Sequence, residues 1–229
     1  MIPGADFDDL PQAVKLAEKY SEVYFAVGIH PYDIDKFDEA TMEKYVNHPK
    51  CIAIGECGLD YFRLPEDEFE KQENIKKQKE VFIAQINFAK KVKKPLIVHI
   101  REASNDSRQI LIDCNAKEVG GVLHCFNASE HLLPLVEHNF YFGIGGVLTF
   151  KNAKKLVEIL PEIPKDKLLI ETDAPYLTPH PHRGERNEPY YTVFVAQKMA
   201  ELLNITEEEI QELTTNNAKK LFKEFSSLS

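Results

Sequence analysis

Four residues that could bind a metal ion lie just after short apolar runs of this chain, and they are Glu56, His99, His124 and Asp173. Such runs predict strands of a parallel sheet that are buried on both faces. In α/β proteins, the residues that carry out chemistry collect at the carboxyl ends of the strands. If these strand ends meet at one edge of a sheet, their side chains form a metal site.

The ligand types limit which metal ions would fit. Imidazole and carboxylate groups suit Zn²⁺, Mn²⁺, Fe²⁺ or Co²⁺, and a carboxylate shared between ions also suits Mg²⁺ or Mn²⁺. A single histidine at a strand end is more often a structural residue, but repetition of the pattern at several strand ends favours metal binding. We therefore expect one or two divalent ions, Mg²⁺, Mn²⁺ or Zn²⁺, with a metal-bound water as the nucleophile.

Three further residues near predicted strand ends could assist this chemistry. His30 could contact a substrate phosphate or move a proton, although a histidine before a proline can also order a loop. Arg101 lies two positions after His99, so on an extended chain it shares that face and could bind a phosphate or a carboxylate. A salt bridge to a nearby acidic residue is the alternative. Asp60 could orient a ligand imidazole or stabilise a turn.

A proline-rich loop late in the chain carries further polar residues. Arg183, Arg186 and Asn187 offer hydrogen-bond donors for a phosphate backbone. His180 and His182 lie in the same loop, where they are more typical of loop residues than of metal ligands. We therefore count Arg183 and Asn187 with His30 and Arg101 as candidate substrate-binding residues.

Predicted helices and strands alternate along the chain, which indicates a parallel α/β fold. After a strand remnant at 1–4, the predicted strands are 23–29, 51–54, 96–98, 121–123, 140–147 and 168–170. A helix with an apolar stripe follows the remnant, and further predicted helices are 39–47, 66–94, 106–114, 130–138 and 152–160. The segment 66–94 is amphipathic and could be broken near its start. Two helices close the chain, the last opening at Thr206 with Glu209 in capping-box position.

Length, composition and charge suit a soluble enzyme of one domain, residues 1–229. The formal net charge of −9 argues against broad electrostatic binding of a polyanion, although bound metal ions could supply positive charge locally. No apolar run is long enough to span a membrane, and the N-terminus lacks the features of a signal peptide. The four cysteines form no C-x-x-C pair. These observations predict a cytoplasmic protein, with no obligate protein partner evident.

Several motifs, in this order, resemble the TatD family of metal-dependent hydrolases. They are GIHPY at 28–32, IGECGLDY at 54–61, HIR at 99–101, LHCF at 123–126, ETDAPYL at 171–177, RGERN at 183–187 and TTNNA at 214–218. Each motif alone is a weak signal, but the ordered set is specific and covers essentially the whole chain.

The resemblance implies a TIM-type (β/α)8 barrel of the amidohydrolase superfamily with a divalent metal centre. It implies phosphodiester hydrolysis, typically by a deoxyribonuclease with 3′→5′ exonuclease character, and hence DNA with single strands or free 3′ ends as the substrate. By analogy, Glu56 would bridge two metals, His99 and His124 would bind one of them, and Asp173 the other. His30 and Arg101 would contact the substrate.

The chain departs from the family pattern at its start. The family's first strand carries a His-x-His pair followed by Leu-Asp, whereas this chain begins at what resembles the second strand. We therefore expect six full strands and the remnant at 1–4, against eight strands in a closed barrel. A start codon placed too far downstream and a true fragment are both compatible with this departure.

Three functional hypotheses follow. The first is a metal-dependent phosphodiesterase acting on DNA, in which Glu56, Asp173 and His30 are catalytic and Asp173 positions or deprotonates the attacking water. The second is a metallohydrolase of small amides, lactones or aminoacyl esters, suggested by the acidic charge and by the lack of an evident basic, aromatic-lined groove. The third is a truncated chain that binds one metal ion and catalyses nothing.

Overall fold

The computed structural model describes residues 1–227 as an α/β fold of alternating strands and helices. The strands are β1 (Phe25–Val27), β2 (Cys51–Asp60), β3 (Leu96–Arg101), β4 (Gly121–Leu123), β5 (Phe140–Ile144) and β6 (Leu168–Ile170). The α-helices are α1 (Leu10–Lys19), α2 (Glu39–Val46), α3 (Glu68–Val92), α4 (Ser104–Asp113), α5 (Lys154–Ile159), α6 (Thr192–Leu203) and α7 (Glu207–Leu221). Among these helices, none is both long and apolar enough to cross a membrane.

The strands form one parallel sheet in which each strand pairs with the next in sequence. This sequential order is the one in which a TIM-type barrel is wound. Ile2 adds a parallel bridge beside Phe25, and its amide donates to the carbonyl of Tyr24 at 2.8 Å. The predicted parallel α/β fold and its six strands are therefore confirmed, and the segment 1–4, predicted as a strand remnant, contributes a single bridge.

The inner face of the sheet changes from apolar to polar along β3 and β4. The inner apolar cluster includes Ile97, Val122 and Leu169, from β3, β4 and β6. Side chains alternate between the two faces of a strand, so the next inward positions are two residues further along. On β3 and just past β4 these positions hold His99 and His124. The lower part of the inner face is thus a packed core, and its carboxyl edge carries the ligand-type residues.

The helices cover the outer face of the sheet through a second apolar cluster. Phe82 and Ile86 of α3 are fully buried in it, together with Phe142 of β5. The last helix begins as predicted, because Thr206 and Glu209 form both hydrogen bonds of a capping box. These outer contacts fix the helices that support the strand ends.

Strand β2 differs from the prediction, which ended it at residue 54. Its pairing with β3 continues to Asp60, and Ile54 and Cys57 face Leu96 and Val98. Three steps on β2 therefore match two steps on β3, which is a β-bulge with one extra residue. Glu56 lies inside this bulge rather than beyond the strand. The prediction stopped early because the apolar run ends at residue 54, although the backbone ladder resumes after the bulge.

Several other elements differ from the prediction in extent or type. Helix α3 is continuous and shows no break near its start. The segment Glu130–His138 is a 3₁₀ helix rather than an α-helix, because Pro134 lies inside it and cannot donate a backbone hydrogen bond. The first predicted strand, 23–29, is reduced to Phe25–Val27. None of these differences changes the order of the elements.

Candidate metal centre

The His99 cluster consists of His30, Glu56, Asp60 and His99, on or just after β1, β2 and β3. His99 is its centre, with Nδ1 lying 2.9 Å from Glu56 Oε1 and Nε2 lying 2.9 Å from Asp60 Oδ2. The His30 ring packs edge-on against the His99 ring, with centroids 4.4 Å apart, and His30 Nε2 lies 3.7 Å from Glu56 Oε1. Both carboxylates are buried, whereas the imidazoles are partly exposed. Access from solvent is therefore over the imidazoles.

Mutual contacts set the charges of this cluster. Burial alone would raise the pKa of Glu56, but its hydrogen bond with His99 and the nearby imidazoles lower that pKa to about 2. Burial and the neighbouring His99 lower the pKa of His30 to about 4. Burial disfavours the charged form of His99, but Asp60 and Glu56 outweigh it and raise the pKa of His99 above its usual range. Near pH 7, Glu56 is therefore ionised and His30 is neutral, which are the forms that bind metals.

Two buried glutamines of α3 hold the strand ends that carry this cluster. Gln85 accepts from the Ile29 amide at 2.8 Å and donates to the Ile29 carbonyl at 3.0 Å. Gln78 does the same for Asp60, with both distances 2.9 Å. The two glutamines are seven residues apart, so they lie on the same face of the helix. This face fixes the backbone beside His30 and at Asp60.

The His124 cluster consists of His124, Glu171 and Asp173, which follow β4 and β6. His124 Nδ1 lies 2.9 Å from Glu171 Oε2, and His124 Nε2 lies 3.1 Å from Asp173 Oδ1. The other oxygen of Glu171 accepts from the amide of Cys125 at 2.5 Å. His99 and His124 thus each lie between two carboxylates, the arrangement that orients metal-binding histidines.

The His124 cluster also has unusual charge and backbone geometry. Burial disfavours the charged form of His124, but Glu171 and Asp173 raise its pKa well above the usual range. Cys125 and Asp173 have positive φ values of 45° and 58°. Such conformations are costly for residues other than glycine, and they collect at functional sites. The strained turns bring both carboxylates onto His124.

The predicted metal ligands fall into these two clusters. Ligand atoms of His30, Glu56 and His99 all lie within 4.8 Å of one another, so these residues could hold one ion. His124 and Asp173 lie together in the other cluster, and Glu56 is near enough to raise the pKa of His124. The structure therefore brings His30, which sequence analysis assigned to the substrate, into a possible ligand set.

Glu171 is the residue that sequence analysis passed over. Glu171 directly follows β6, and this position is the same signal that identified the other strand-end ligands. The metal-ligand assignment went instead to Asp173 in the same motif. Asp60 contacts His99, in agreement with its predicted orienting role.

The predicted substrate-binding residues have different surroundings. Arg101 is exposed, and its guanidinium carbon lies 3.5 Å from the ring centroid of Phe62. Arg183 stacks on Phe150 at 3.9 Å and donates to the Thr178 carbonyl at 3.3 Å.

Asn187 is buried, and its amide nitrogen donates to the carbonyls of Thr172 and Tyr176, at 2.6 Å each. The structure therefore gives Asn187 a loop-holding role in place of the predicted substrate contact, because its amide donors are already used.

Comparison with known proteins identifies the family of the chain. The family described as TatD related DNase matches residues 1–223. The chain belongs to the TatD family. Among TatD relatives, the uncharacterized metal-dependent hydrolase YabD of Bacillus subtilis is 46% identical, over 97% of this chain and 86% of that protein. The 3′-5′ ssDNA/RNA exonuclease TatD of Escherichia coli K12 is 36% identical, over 97% of this chain and 86% of that protein.

Solved structures agree with this assignment. The crystal structure of YjjV, a TatD homolog from Escherichia coli K12, has a TM-score of 0.86 and 27% sequence identity, covering 96% of this chain and 85% of that one. A TatD family hydrolase from Entamoeba histolytica has a TM-score of 0.79 at 21% identity, covering 96% of this chain and 82% of that one, which supports the fold alone. The protein is therefore a metal-dependent hydrolase of the TatD family with a TIM-type barrel.

The His99 cluster fits the metal that this TatD membership implies. His30, Glu56 and His99 supply two imidazoles and one carboxylate at mutual distances short enough for one ion. Asp60 fixes the orientation of the His99 ring from behind. Such a mixed N/O set suits Zn²⁺, Mn²⁺ or a similar ion. A bound ion there would act as a Lewis acid and lower the pKa of a coordinated water.

Proposed function

We propose that this TatD-family hydrolase is a nuclease that cleaves phosphodiester bonds of DNA and releases nucleotides from the 3′ ends of single strands. One observation carries the proposal, namely the exposed guanidinium of Arg101 two residues from His99, at the edge of a candidate metal-binding cluster. A guanidinium is a natural partner for a phosphate oxygen. The named activity of the Escherichia coli relative supports the same choice.

The residues of the chain take distinct roles in this proposal. His30, Glu56 and His99 hold the ion, and Asp60 keeps His99 in orientation. Arg101 binds the scissile phosphate and offsets the negative charge that develops on its oxygens. His124 and Asp173 lie beside this group, and Asp173 accepts the proton of the attacking water. Since its pKa is about 4, His30 stays neutral at physiological pH, which is the form that binds a metal ion.

The test is the release of nucleotides from 3′-labelled single-stranded DNA, with Mg²⁺ or Mn²⁺ and with a chelator. We expect metal-dependent release, and a loss of about 100-fold or more in Glu56→Gln, because a lost ligand should cost at least as much as a lost supporting contact. The matched control is Glu158→Gln, an exposed position on α5, which should keep full activity.

Two outcomes would contradict the proposal. Release that persists at full rate in Glu56→Gln would remove Glu56 from the mechanism. Hydrolysis of a small ester or lactone by the same preparation, with DNA left intact, would favour the alternative metallohydrolase function.

A further inference from the structure

Two exposed aromatic rings flank the His99 cluster, and each carries a guanidinium. Phe62 is 50% exposed and Tyr32 is 41% exposed, although most large apolar side chains of the chain are buried. The guanidinium carbon of Arg101 lies 3.5 Å from the Phe62 ring centroid, and that of Arg63 lies 5.3 Å from the Tyr32 ring centroid. Single exposed aromatic side chains are common on protein surfaces, but two of them beside one candidate metal cluster, each with a guanidinium, form the kind of patch that marks an interaction site.

Backbone hydrogen bonds link both aromatic residues to the His99 cluster. The amide of Phe62 donates to Asp60 Oδ1 at 2.9 Å, while the other oxygen of Asp60 lies 2.9 Å from His99 Nε2. The amide of Tyr32 donates to His30 Nδ1 at 3.1 Å, and the two rings are 4.8 Å apart. A substrate phosphate at the cluster would therefore carry its attached nucleoside past these rings.

The distribution of arginine supports a local site for a polyanion on an acidic protein. The chain has five arginines, and all except Arg108 lie at the end of β3 or in the segments that follow β2 and β6. Lysine supplies the rest of the 28 basic residues. A guanidinium can stack on a ring with its plane and still donate through its edge to phosphate, which an ammonium cannot do.

We propose that Tyr32, Phe62, Arg63 and Arg101 form a stacking platform for the unpaired bases of single-stranded nucleic acid. The inference rests on the proposed nuclease function and adds a physical basis for selecting single strands over duplexes. Bases stack on aromatic faces largely without regard to sequence, and the arginines bind the connecting phosphates. Bases inside a duplex are stacked on their neighbours, so they cannot use the platform without being displaced.

The experiment compares Phe62→Leu and Phe62→Trp on two 3′-labelled single-stranded oligonucleotides. One carries a normal base beside the scissile bond, and the other carries an abasic residue at that place. We expect wild type to prefer the base-bearing substrate in kcat/KM, with the difference mainly in KM. Phe62→Leu should reduce that preference by about tenfold, and Phe62→Trp should retain it, because indole restores a flat face.

Tyr20→Leu is the matched control. Tyr20 is 45% exposed and has the Lys19 ammonium 5.0 Å from its ring centroid, but it directly follows α1 and precedes the amino end of β1. Tyr20→Leu should leave the preference for the base-bearing substrate at the wild-type value. An unchanged preference in Phe62→Leu, or an equal loss in Phe62→Leu and Phe62→Trp, would overturn the platform.

A binding measurement separates this inference from the proposed function. Fluorescence anisotropy of the same two oligonucleotides in chelator needs no cleavage. If neither oligonucleotide is cut, the nuclease proposal fails, while tighter binding of the base-bearing strand that is lost in Phe62→Leu would still support the platform. Equal binding of both strands by wild type would overturn it.

Discussion

At the scale of single residues, the candidate site depends on carboxylates that hydrogen-bond to the imidazoles and fix the orientation of their rings. Asp60 contacts His99, and Glu171 contacts His124, each at 2.9 Å. Partners of this kind fix the ring orientation and the tautomer of a metal-binding histidine. Glu171 is further fixed by the amide of Cys125. Small displacements of these carboxylates should therefore change the properties of the histidines more than they change the fold.

The pair Gly143 and Gly145 on and after β5 tests this dependence. A methyl group at position 143 would overlap the carboxylate of Glu171, whereas one at 145 would meet Glu171 at an ordinary 3.7 Å. We expect Gly143→Ala to displace Glu171 and lower the unfolding free energy by about 1–3 kcal/mol, as overpacking does. Gly145→Ala should stay close to wild type.

The accompanying readout is the pKa of His124 in the metal-free protein, followed by NMR titration of the histidine rings. Glu171 and Asp173 raise this pKa against the effect of burial, so Gly143→Ala should lower it toward the ordinary value. A histidine whose pKa is higher in the folded protein than in the unfolded chain stabilises the fold fully at pH values below its unfolded-state pKa. This contribution is lost as the pH rises through the folded-state pKa. The stability gap between Gly143→Ala and wild type should therefore narrow at alkaline pH. An unchanged His124 titration would contradict this account.

At the scale of elements, α3 acts as the support for two strand ends. Its buried side chains Gln78 and Gln85 satisfy both backbone groups of Asp60 and of Ile29. A helix positions such groups precisely, because residues seven apart lie on one face and the packed core prevents rotation. The length of α3, 25 residues, lets one helix support both β1 and β2.

Replacement of Gln78 by Leu tests this support. It leaves the amide and carbonyl of Asp60 without their partner in a buried setting, so we expect the unfolding free energy to fall by about 2–4 kcal/mol. Denaturant unfolding measures the loss. The control is Gln72→Leu on the same helix, an exposed side chain that donates a hydrogen bond to Glu68, which should cost less than about 0.5 kcal/mol. Equal stability of the two variants would show that α3 does not hold β2 in this way.

At the scale of the whole molecule, an acidic chain collects several carboxylates at one edge of its sheet. Four carboxylates lie close to three imidazoles there, and they belong to Glu56, Asp60, Glu171 and Asp173. This concentration of negative charge is costly in a metal-free protein and favourable around a cation. Metal binding should consequently stabilise the entire fold.

Thermal unfolding with and without Mn²⁺ or Zn²⁺ checks this expectation. At a free metal concentration of about 100 times Kd, linkage predicts roughly 2.7 kcal/mol of stabilisation, which raises the Tm of a chain of this size by about 5–10 °C. His99→Asn should lose the shift. His138→Asn, at the end of the 3₁₀ helix that precedes the amino end of β5, should keep it. A shift that survives in His99→Asn would place the metal outside the His99 cluster.

The amino-acid sequence determined the order and type of most elements. The apolar runs locate the strands. The observed bounds of β6 are the predicted ones, because polar residues border its apolar run on both sides. The strand-end pattern also selected Glu56, His99, His124 and Asp173. These signals are local, since burial and strand pairing require particular residue types at particular spacings.

Only the tertiary structure decided which of these residues share a site. The bulge in β2 aims Glu56 at His99, and the pairing of β1 with β2 brings His30 beside them. Arg101 stacks on Phe62, which lies 39 positions earlier in the chain. This contact creates an aromatic, basic surface that the sequence did not reveal. Such contacts depend on strand register and on irregularities of the backbone, and a list of residues with their spacing contains neither.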